Sequence, residues 1–108
     1  MFKVISTLTR PTTSITWFSD TPDGLVMQSF YDDALVLSKT ITTATDQLSK
    51  TTELTFNSYN DYQNWISKAT EADPLVWIKR NDYIVANSMT LKVEESLDGG
   101  AAVIEKMI

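Results

Sequence analysis

The sequence predicts one α+β domain, in which an antiparallel sheet carries its helices on one face. Apolar residues alternate with period two in four segments and recur at helical spacing in the segments between them. The resulting order is strand, helix, strand, strand, helix, strand, which is the split βαβ, or ferredoxin-like, arrangement. A chain of 108 residues suits one core. We therefore expect a single domain over residues 1–95 and a C-terminal tail over residues 96–108.

The first half of the chain begins with a strand and a helix. Residues 2–9 are rich in β-branched and aromatic side chains, although Ser6 interrupts the apolar face. A second short extended piece is predicted over residues 14–18. A capping threonine and a proline then mark the start of a helix over residues 23–38. The stripe that this helix should bury comprises Val26, Phe30, Ala34 and Leu37, and the neighbouring row comprises Met27, Tyr31 and Leu35.

A hairpin and a second helix follow. Two threonine-rich segments, residues 39–45 and 50–56, are separated by a short polar link and predict two antiparallel strands. Ser58, followed three residues later by Asp61, has the pattern of a capping box and predicts the start of a helix. The apolar face of this helix comprises Tyr59, Tyr62, Trp65, Ile66 and Ala69.

The last third of the chain contains another residue pattern that is typical of a helix start. Asp73 and Pro74 predict a helix over residues 74–86, and the sequence leaves open whether Pro74 kinks one long helix or separates two. Asn87 is the expected left-handed stop. Alternating apolar residues from Met89 onward predict a final strand, and residues 101–108 should form a helical turn or a frayed end. The buried stripe of the last helix is predicted along Leu75, Ile78 and Val85, broadened by Val76, Trp77 and Ile84.

Composition excludes several classes of function. The chain has no cysteine and no histidine, so cysteine nucleophiles, histidine-based triads and the common zinc sites are excluded. The net charge of −5 and the scattered basic residues disfavour nucleic acids and anionic membranes. No apolar segment reaches the length of a membrane span, and the N-terminus does not resemble a signal peptide. We therefore expect a soluble, cytoplasmic protein that binds neither nucleic acid nor membrane.

Part of the chain resembles the dimeric α+β barrel proteins, a superfamily that includes cofactor-free antibiotic-biosynthesis-type monooxygenases, haem-degrading enzymes and relatives of chlorite dismutase. The resemblance lies in residues 54–65, where a strand ending in an aromatic residue leads through Asn57 and Ser58 into a helix with a tryptophan, and in residues 73–91. It covers residues 50–95. The segment over residues 11–18 departs from the family pattern.

The resemblance implies a pocket that stabilises a substrate anion, and it suggests four ligand-binding candidates: Asn57, Tyr62, Trp65 and Arg80. Each has a structural alternative. Trp65 suits the core, Asn57 suits a turn, and Arg80 beside Lys79 suits a solvated helix face. Haem is disfavoured because the haem-binding relatives use a histidine. The sequence therefore predicts no catalytic residue and no cofactor.

Two acidic pairs are the candidates for a metal site. Asp32 and Asp33, and Glu94 and Glu95, are adjacent in the sequence. Neighbouring residues of a helix or strand point in different directions, so neither pair converges on one ion. No metal site is predicted.

The sequence predicts two alternative functions. The first is a homodimeric binding or accessory protein without catalytic activity. A viral origin is one option for this function, and the protein would then lie in the host-cell cytoplasm. The second is a cofactor-independent monooxygenase or a small-ligand-binding protein. The homodimer is expected because the sheet face without helices should be half apolar and so be buried against a second copy. An enclosed cavity between helices and sheet, lined by Tyr62, Trp65 and a polar group, would favour the enzyme, and a filled interior would favour the binding or structural role.

Overall fold

A computed structural model describes residues 1–97 and 102–107 of the protein, with side chains from Met1 to Ser96. Its strands are β1 (Phe2–Thr9), β2 (Ser38–Thr43), β3 (Ser49–Phe56), β4 (Thr90–Leu97) and β5 (Ala102–Met107). Its α-helices are α1 (Pro22–Ser29), α2 (Tyr59–Ala72) and α3 (Val76–Ala86). Two short 3₁₀ helices, Phe18–Asp20 and Phe30–Asp32, flank α1.

The five strands form one antiparallel sheet in the order β2-β3-β1-β4-β5. The first four strands have the ferredoxin-like order, with the helices on one face, so the predicted fold class is confirmed. The predicted hairpin is also confirmed, as β2 and β3. The helical turn or frayed end expected over residues 101–108 is wrong for residues 102–107, because β5 pairs with the otherwise open edge of β4. Where the domain ends and a tail begins stays a prediction.

The main core lies between β1, β3 and α2. Phe2 pairs with Phe56, and Val4 with Leu54, on the face of the sheet that the helices cover. All four side chains are buried. Helix α2 is fixed above them because Ser58 Oγ accepts a hydrogen bond from the backbone amide of Asp61 at 3.1 Å, as the capping pattern predicted.

Helix α1 is much shorter than the predicted helix over residues 23–38. The chain turns away after the 3₁₀ helix, because Asp33 Oδ1 accepts from the backbone amide of Leu35 at 3.0 Å and offers the backbone an alternative to the helix. The predicted buried stripe is wrong at Val26 and Leu37, which are exposed. Met27, which belongs to the predicted neighbouring row, is buried.

The extended piece predicted over residues 14–18 is not a strand. The guanidinium of Arg10 donates to the carbonyl of Ile15 at 2.6 Å and to that of Gln47 at 2.9 Å, and so ties this loop to the hairpin turn. The ring centre of Trp17 lies 4.1 Å from the guanidinium of Arg10 and 4.9 Å from the ammonium of Lys50. The aromatic and aliphatic side chains of this segment therefore pack as a loop over the sheet.

Helices α2 and α3 are separate, so Pro74 separates two helices and does not kink one long helix. Asp73 ends α2, and its Oδ1 accepts from the amide of Leu75 at 3.1 Å, so α3 begins at Val76, two residues later than predicted. The predicted stripe of Leu75, Ile78 and Val85 is wrong, since all three side chains are more than half exposed. The residues that α3 buries are Val76 and Ile84, two of the three that were predicted to broaden that stripe.

The left-handed residue after α3 is Ser88 and not the predicted Asn87. Ser88 has a φ of 55°, whereas Asn87 has a φ of −106°. The amides of Ser88 and Met89 donate to Val85 and Ile84, which closes the helix end, while the Asn87 side chain caps the carbonyl of Tyr83.

The outer face of the sheet is polar, so the half-apolar surface expected there is wrong. The residues that alternate with the buried ones in β1 to β4 are mostly threonine, serine, lysine and glutamate, and Ile5 is the apolar residue among them. Lys3 and Glu53 form an ion pair on this face at 3.1 Å. No helix among the described residues is long and apolar enough to cross a membrane.

Candidate ligand-binding cavity

A cavity of about 220 Å³ lies between the sheet and helices α2 and α3. Its floor is formed by inward-facing residues of β1, β3 and β4, and its roof by aromatic side chains of the helical layer. The floor includes Val4, Ser6, Leu54 and Val93, and the roof includes Tyr31, Tyr62, Trp65, Ile66, Trp77 and Arg80.

The cavity exists because a small residue stands where the strand pattern calls for a large one. Along the inward face of β1, the order is Phe2, Val4, Ser6 and Leu8. The residue paired with Ser6 on β3 is Thr52, which is also small. The floor is therefore low at this point, and the helices above it leave a space that close-packed interiors rarely contain.

Arg80 is the charged group of the cavity wall. Its neighbour Lys79 lies at the surface and pairs with Asp23 and Asp73, at 3.8 and 3.4 Å. The guanidinium of Arg80 instead lies 5.3 Å from the ring centre of Trp77. Its Nε donates to Oδ1 of Asn81 at 3.2 Å. Within the described part of the chain, no carboxylate lies at salt-bridge distance from it.

Burial lowers the pKa of Arg80, whereas the phenols of Tyr31 and Tyr62 raise it. An arginine remains a cation at neutral pH even so. The cavity therefore presents a partly desolvated positive charge, and such a charge is stabilised most by an anion that can reach its free donors.

Tyr62 is held in place by a buried acid. Its hydroxyl donates to Oε1 of Glu95 at 3.2 Å, and the residue Glu95 is only 2% exposed. Burial first, and then the charge and hydrogen bond of Glu95, raise the pKa of Tyr62 far above its ordinary value. Burial also raises the pKa of Tyr31, against the opposing effect of Arg80. Both phenols are therefore neutral at physiological pH.

The N–H groups of the two tryptophans of the roof already have partners, so these residues contribute apolar ring surface to the cavity wall. Trp65 Nε1 donates to the carbonyl of Phe30 at 2.8 Å, and Trp77 Nε1 donates to Oγ1 of Thr70 at 3.1 Å. The ring centres of Trp65 and Trp77 lie 5.9 Å apart, and the ring of Tyr31 stacks on Trp65 at 6.2 Å. This arrangement suits a flat apolar ligand with one acidic group.

The structure brings together three of the four candidates predicted from the sequence. Tyr62, Trp65 and Arg80 line the same cavity, while Asn57 is exposed between β3 and α2 and does not line it. Whether these residues bind a ligand stays a prediction. Sequence reasoning missed Tyr31 and Trp77 as cavity residues. The serine that interrupts the apolar alternation of β1 was the available signal for an unfilled space.

The described residues contain no group of three or more acidic, cysteine or histidine side chains that could hold a metal ion. The chemistry available to the cavity is therefore that of one guanidinium, two phenols and several ring faces.

The sequence matches no family model, and no curated protein is significantly similar to it. A solved structure does share its fold. It is that of a protein from Deinococcus radiodurans, named as a proposed antibiotic biosynthesis monooxygenase. The two chains are 16% identical, the alignment covers 96% of this chain and 98% of the other, and the TM-score is 0.62. The fold resemblance inferred from residues 50–95 is thus confirmed, and it extends over nearly the whole chain.

Proposed function

We propose that this protein binds a small aromatic anion in the cavity between the sheet and helices α2 and α3. The observation that carries the proposal is the position of Arg80, a cation in an aromatic-walled cavity with no carboxylate partner among the described side chains. A cation in that position is better stabilised by a bound anion than by its present neighbours.

The size of the cavity indicates the size of the ligand. A dry cavity of about 150 Å³ in another protein holds benzene. The cavity here measures about 220 Å³ and so has room for a larger ring system, such as two fused rings. The rings of Trp65, Trp77 and Tyr31 would pack against such a ring system, while Arg80 would pair with an acidic substituent.

Titration calorimetry with 2-naphthoate at neutral pH tests the proposal. The wild-type protein should bind it, and Arg80→Met, which keeps an unbranched apolar stem but removes the guanidinium and its charge, should bind about tenfold more weakly, as expected for one charge-assisted hydrogen bond. Lys3→Met changes the net charge equally but lies on the outer sheet face, so it should bind like the wild type. Equal affinity of Arg80→Met and Lys3→Met would refute the proposal.

Oxygenation without a cofactor is a second candidate, favoured by the shared fold and by the anion-stabilising position of Arg80. A phenol with a free ring carbon opposite its hydroxyl, such as 1-naphthol, would react with one O₂ to give a quinone and one water. The phenol supplies the electrons, so no external reductant is needed. Uptake of O₂ with 1-naphthol should be faster with the wild type than with Arg80→Met. No uptake by either protein would leave the binding role alone.

A homodimer remains part of the proposed function, on the strength of the fold resemblance. The polar outer face of the sheet removes the apolar argument for self-association. Light scattering at tens of micromolar should give twice the chain mass of 12.2 kDa for a dimer. A mass equal to one chain would contradict it.

A further inference from the structure

A second, smaller cavity adjoins the first. It measures about 60 Å³ and shares three wall residues with the larger one, namely Ser6, Tyr31 and Arg80. Beyond them its lining includes Leu8, Lys50 and Thr52. A cavity needs about 10–15 Å³ on this measure to hold one water molecule, so this space has room for a group as large as a carboxylate.

Lys50 brings a second cation into this smaller cavity. It is on the inward face of β3, paired with Leu8, and its ammonium lies 3.4 Å from Oγ of Ser19 and 4.9 Å from the ring centre of Trp17. None of the described carboxylates is at salt-bridge distance from it. An ammonium has three donors, and a neutral hydroxyl and a ring face leave that capacity largely unused.

This position is unusual in an acidic protein. The chain has 14 acidic and 9 basic residues, and five of its lysines pair with carboxylates: Lys3, Lys39, Lys68, Lys79 and Lys92. The basic side chains without a carboxylate partner in the described region are Arg10, Lys50 and Arg80, and each lies against a tryptophan. Two of these three line the cavities, whose walls include no acidic residue. These two cations therefore lie on neighbouring cavity walls in a molecule of net negative charge, while the buried acid Glu95 is bound through Oε1 to the hydroxyl of Tyr62. An anion is best stabilised at the junction of the two cavities, where the two cations are.

Both cations lie toward the same end of the larger cavity. Arg80 borders both spaces, Lys50 lines only the smaller one, and the rest of the larger cavity's wall is uncharged. Along β1, Val4 lines the large cavity, Ser6 lines both and Leu8 lines the small one. A strand rises by about 3.3 Å per residue, so the two spaces follow each other along roughly 13 Å of β1.

We infer that the ligand carries two neighbouring acidic groups on one end of an aromatic ring system. The rings occupy the larger cavity, one acidic group pairs with Arg80 at the boundary, and the second enters the smaller cavity and pairs with Lys50. This inference rests on the proposed function, because it adds a second acidic group to the same ligand.

Calorimetry with three probes tests it: 2-naphthoate, naphthalene-2,3-dicarboxylate with neighbouring acidic groups, and naphthalene-2,6-dicarboxylate with acidic groups at opposite ends. The wild type should bind the 2,3-dicarboxylate about tenfold more tightly than 2-naphthoate, as expected for one further charge-assisted contact. The 2,6-isomer should gain nothing over 2-naphthoate, because its far carboxylate meets no cation.

Lys50→Met should remove the preference for the 2,3-dicarboxylate and leave the affinity for 2-naphthoate within about twofold. Lys50→Arg, which keeps the charge, should retain the preference, and Lys3→Met on the outer face should behave as the wild type. Near-ultraviolet circular dichroism reports whether Trp17 keeps its packing in each variant.

The two proposals fail in different ways. If 2-naphthoate does not bind, or binds equally to Arg80→Met, the proposed function fails and this inference fails with it. If Arg80→Met weakens binding but the wild type shows no preference for the 2,3-dicarboxylate, or Lys50→Met keeps that preference, only the second acidic group is overturned.

Discussion

The hydroxyl of Tyr62 donates to Oε1 of Glu95 at 3.2 Å and joins helix α2 to strand β4 inside the protein. Glu95 is paired with Val4 of β1, on the face of the sheet that the helices cover. An acid in the interior needs hydrogen-bond donors, and a ring that supplies one cannot turn freely. The pair therefore holds the ring of Tyr62 at the cavity wall.

Tyr62→Phe should lower the free energy of unfolding by about 1–3 kcal/mol, because the buried carboxylate of Glu95 loses a donor. Urea unfolding at neutral pH measures this. Tyr59→Phe is the matched control, since Tyr59 is 45% exposed and its hydroxyl accepts from the side chain of Gln63 at the surface. It should change the free energy by no more than about 0.5 kcal/mol. Equal losses in both variants would contradict the role assigned to Glu95.

Ser6→Leu should fill the space at the junction of the two cavities. Binding of 2-naphthoate should weaken by about tenfold or more, whereas the free energy of unfolding should fall by no more than about 1 kcal/mol, because the added side chain enters an existing cavity. Calorimetry and urea unfolding measure the two effects. Thr7→Leu, on the opposite face of the same strand, should leave binding unchanged. Full binding by Ser6→Leu would show that the ligand lies elsewhere.

Arg10→Lys should destabilise the loop over residues 11–18 by about 2 kcal/mol. A lysine cannot donate in two fixed directions, so the bonds from Arg10 to Ile15 and Gln47 are not both replaced. The loss should appear in urea unfolding and in the near-ultraviolet signal of Trp17. Lys3→Arg on the outer face is the control and should be neutral. An unchanged stability of Arg10→Lys would mean that the packing of Trp17 alone holds the loop.

Ser88→Gly should raise the free energy of unfolding by about 1 kcal/mol, because Ser88 has a φ of 55° and glycine takes up that conformation without steric cost. Asn87→Gly, one residue earlier at a φ of −106°, should give no such gain and should lose the bond from the Asn87 side chain to Tyr83. Thermal and urea unfolding compare the two. A gain at position 87 and none at position 88 would contradict the observed helix end.

The contribution of Asp33 to the stability of the fold should be lost in acid. The backbone amide of Leu35, followed by the ammonium of Lys68, holds the pKa of Asp33 below its ordinary value. A lowered pKa in the folded state means that the contribution is present above the unfolded pKa of about 3.9 and is lost as the pH falls through the folded value. Asp33→Asn should therefore be less stable than the wild type at neutral pH, and the difference should shrink below about pH 4. A difference that does not depend on pH would contradict this account.

Local patterns predicted most of the fold. The alternation in β1, the threonine-rich hairpin and the cap at Ser58 depend on neighbours within a few residues, so the chain itself contains the information. The length of α1 was overestimated because apolar spacing continues to Leu37 while the side chain of Asp33 redirects the backbone. The buried side of α3 was misjudged because an almost uniformly apolar helix start does not show which side meets the sheet.

The candidate site was only partly predictable for the same reason. Tyr62 and Trp65 belong to the stripe of α2, but the different positions of Lys79 and Arg80 follow from how α3 lies on the sheet and not from their shared charge. The outer face of the sheet is polar because the register of the strands places most of their apolar residues on the inward face.

By itself, the sequence determined the order of strands β1 to β4 and of the helices between them, their antiparallel pairing and the absence of histidine and cysteine chemistry, because propensity, spacing and composition act locally. The tertiary structure alone decided that Ser6 leaves a space, that Arg80 and Lys50 border it, and that Glu95 is buried against Tyr62. These relationships join residues far apart in the chain, and packing between the layers, rather than any local preference, sets their distances.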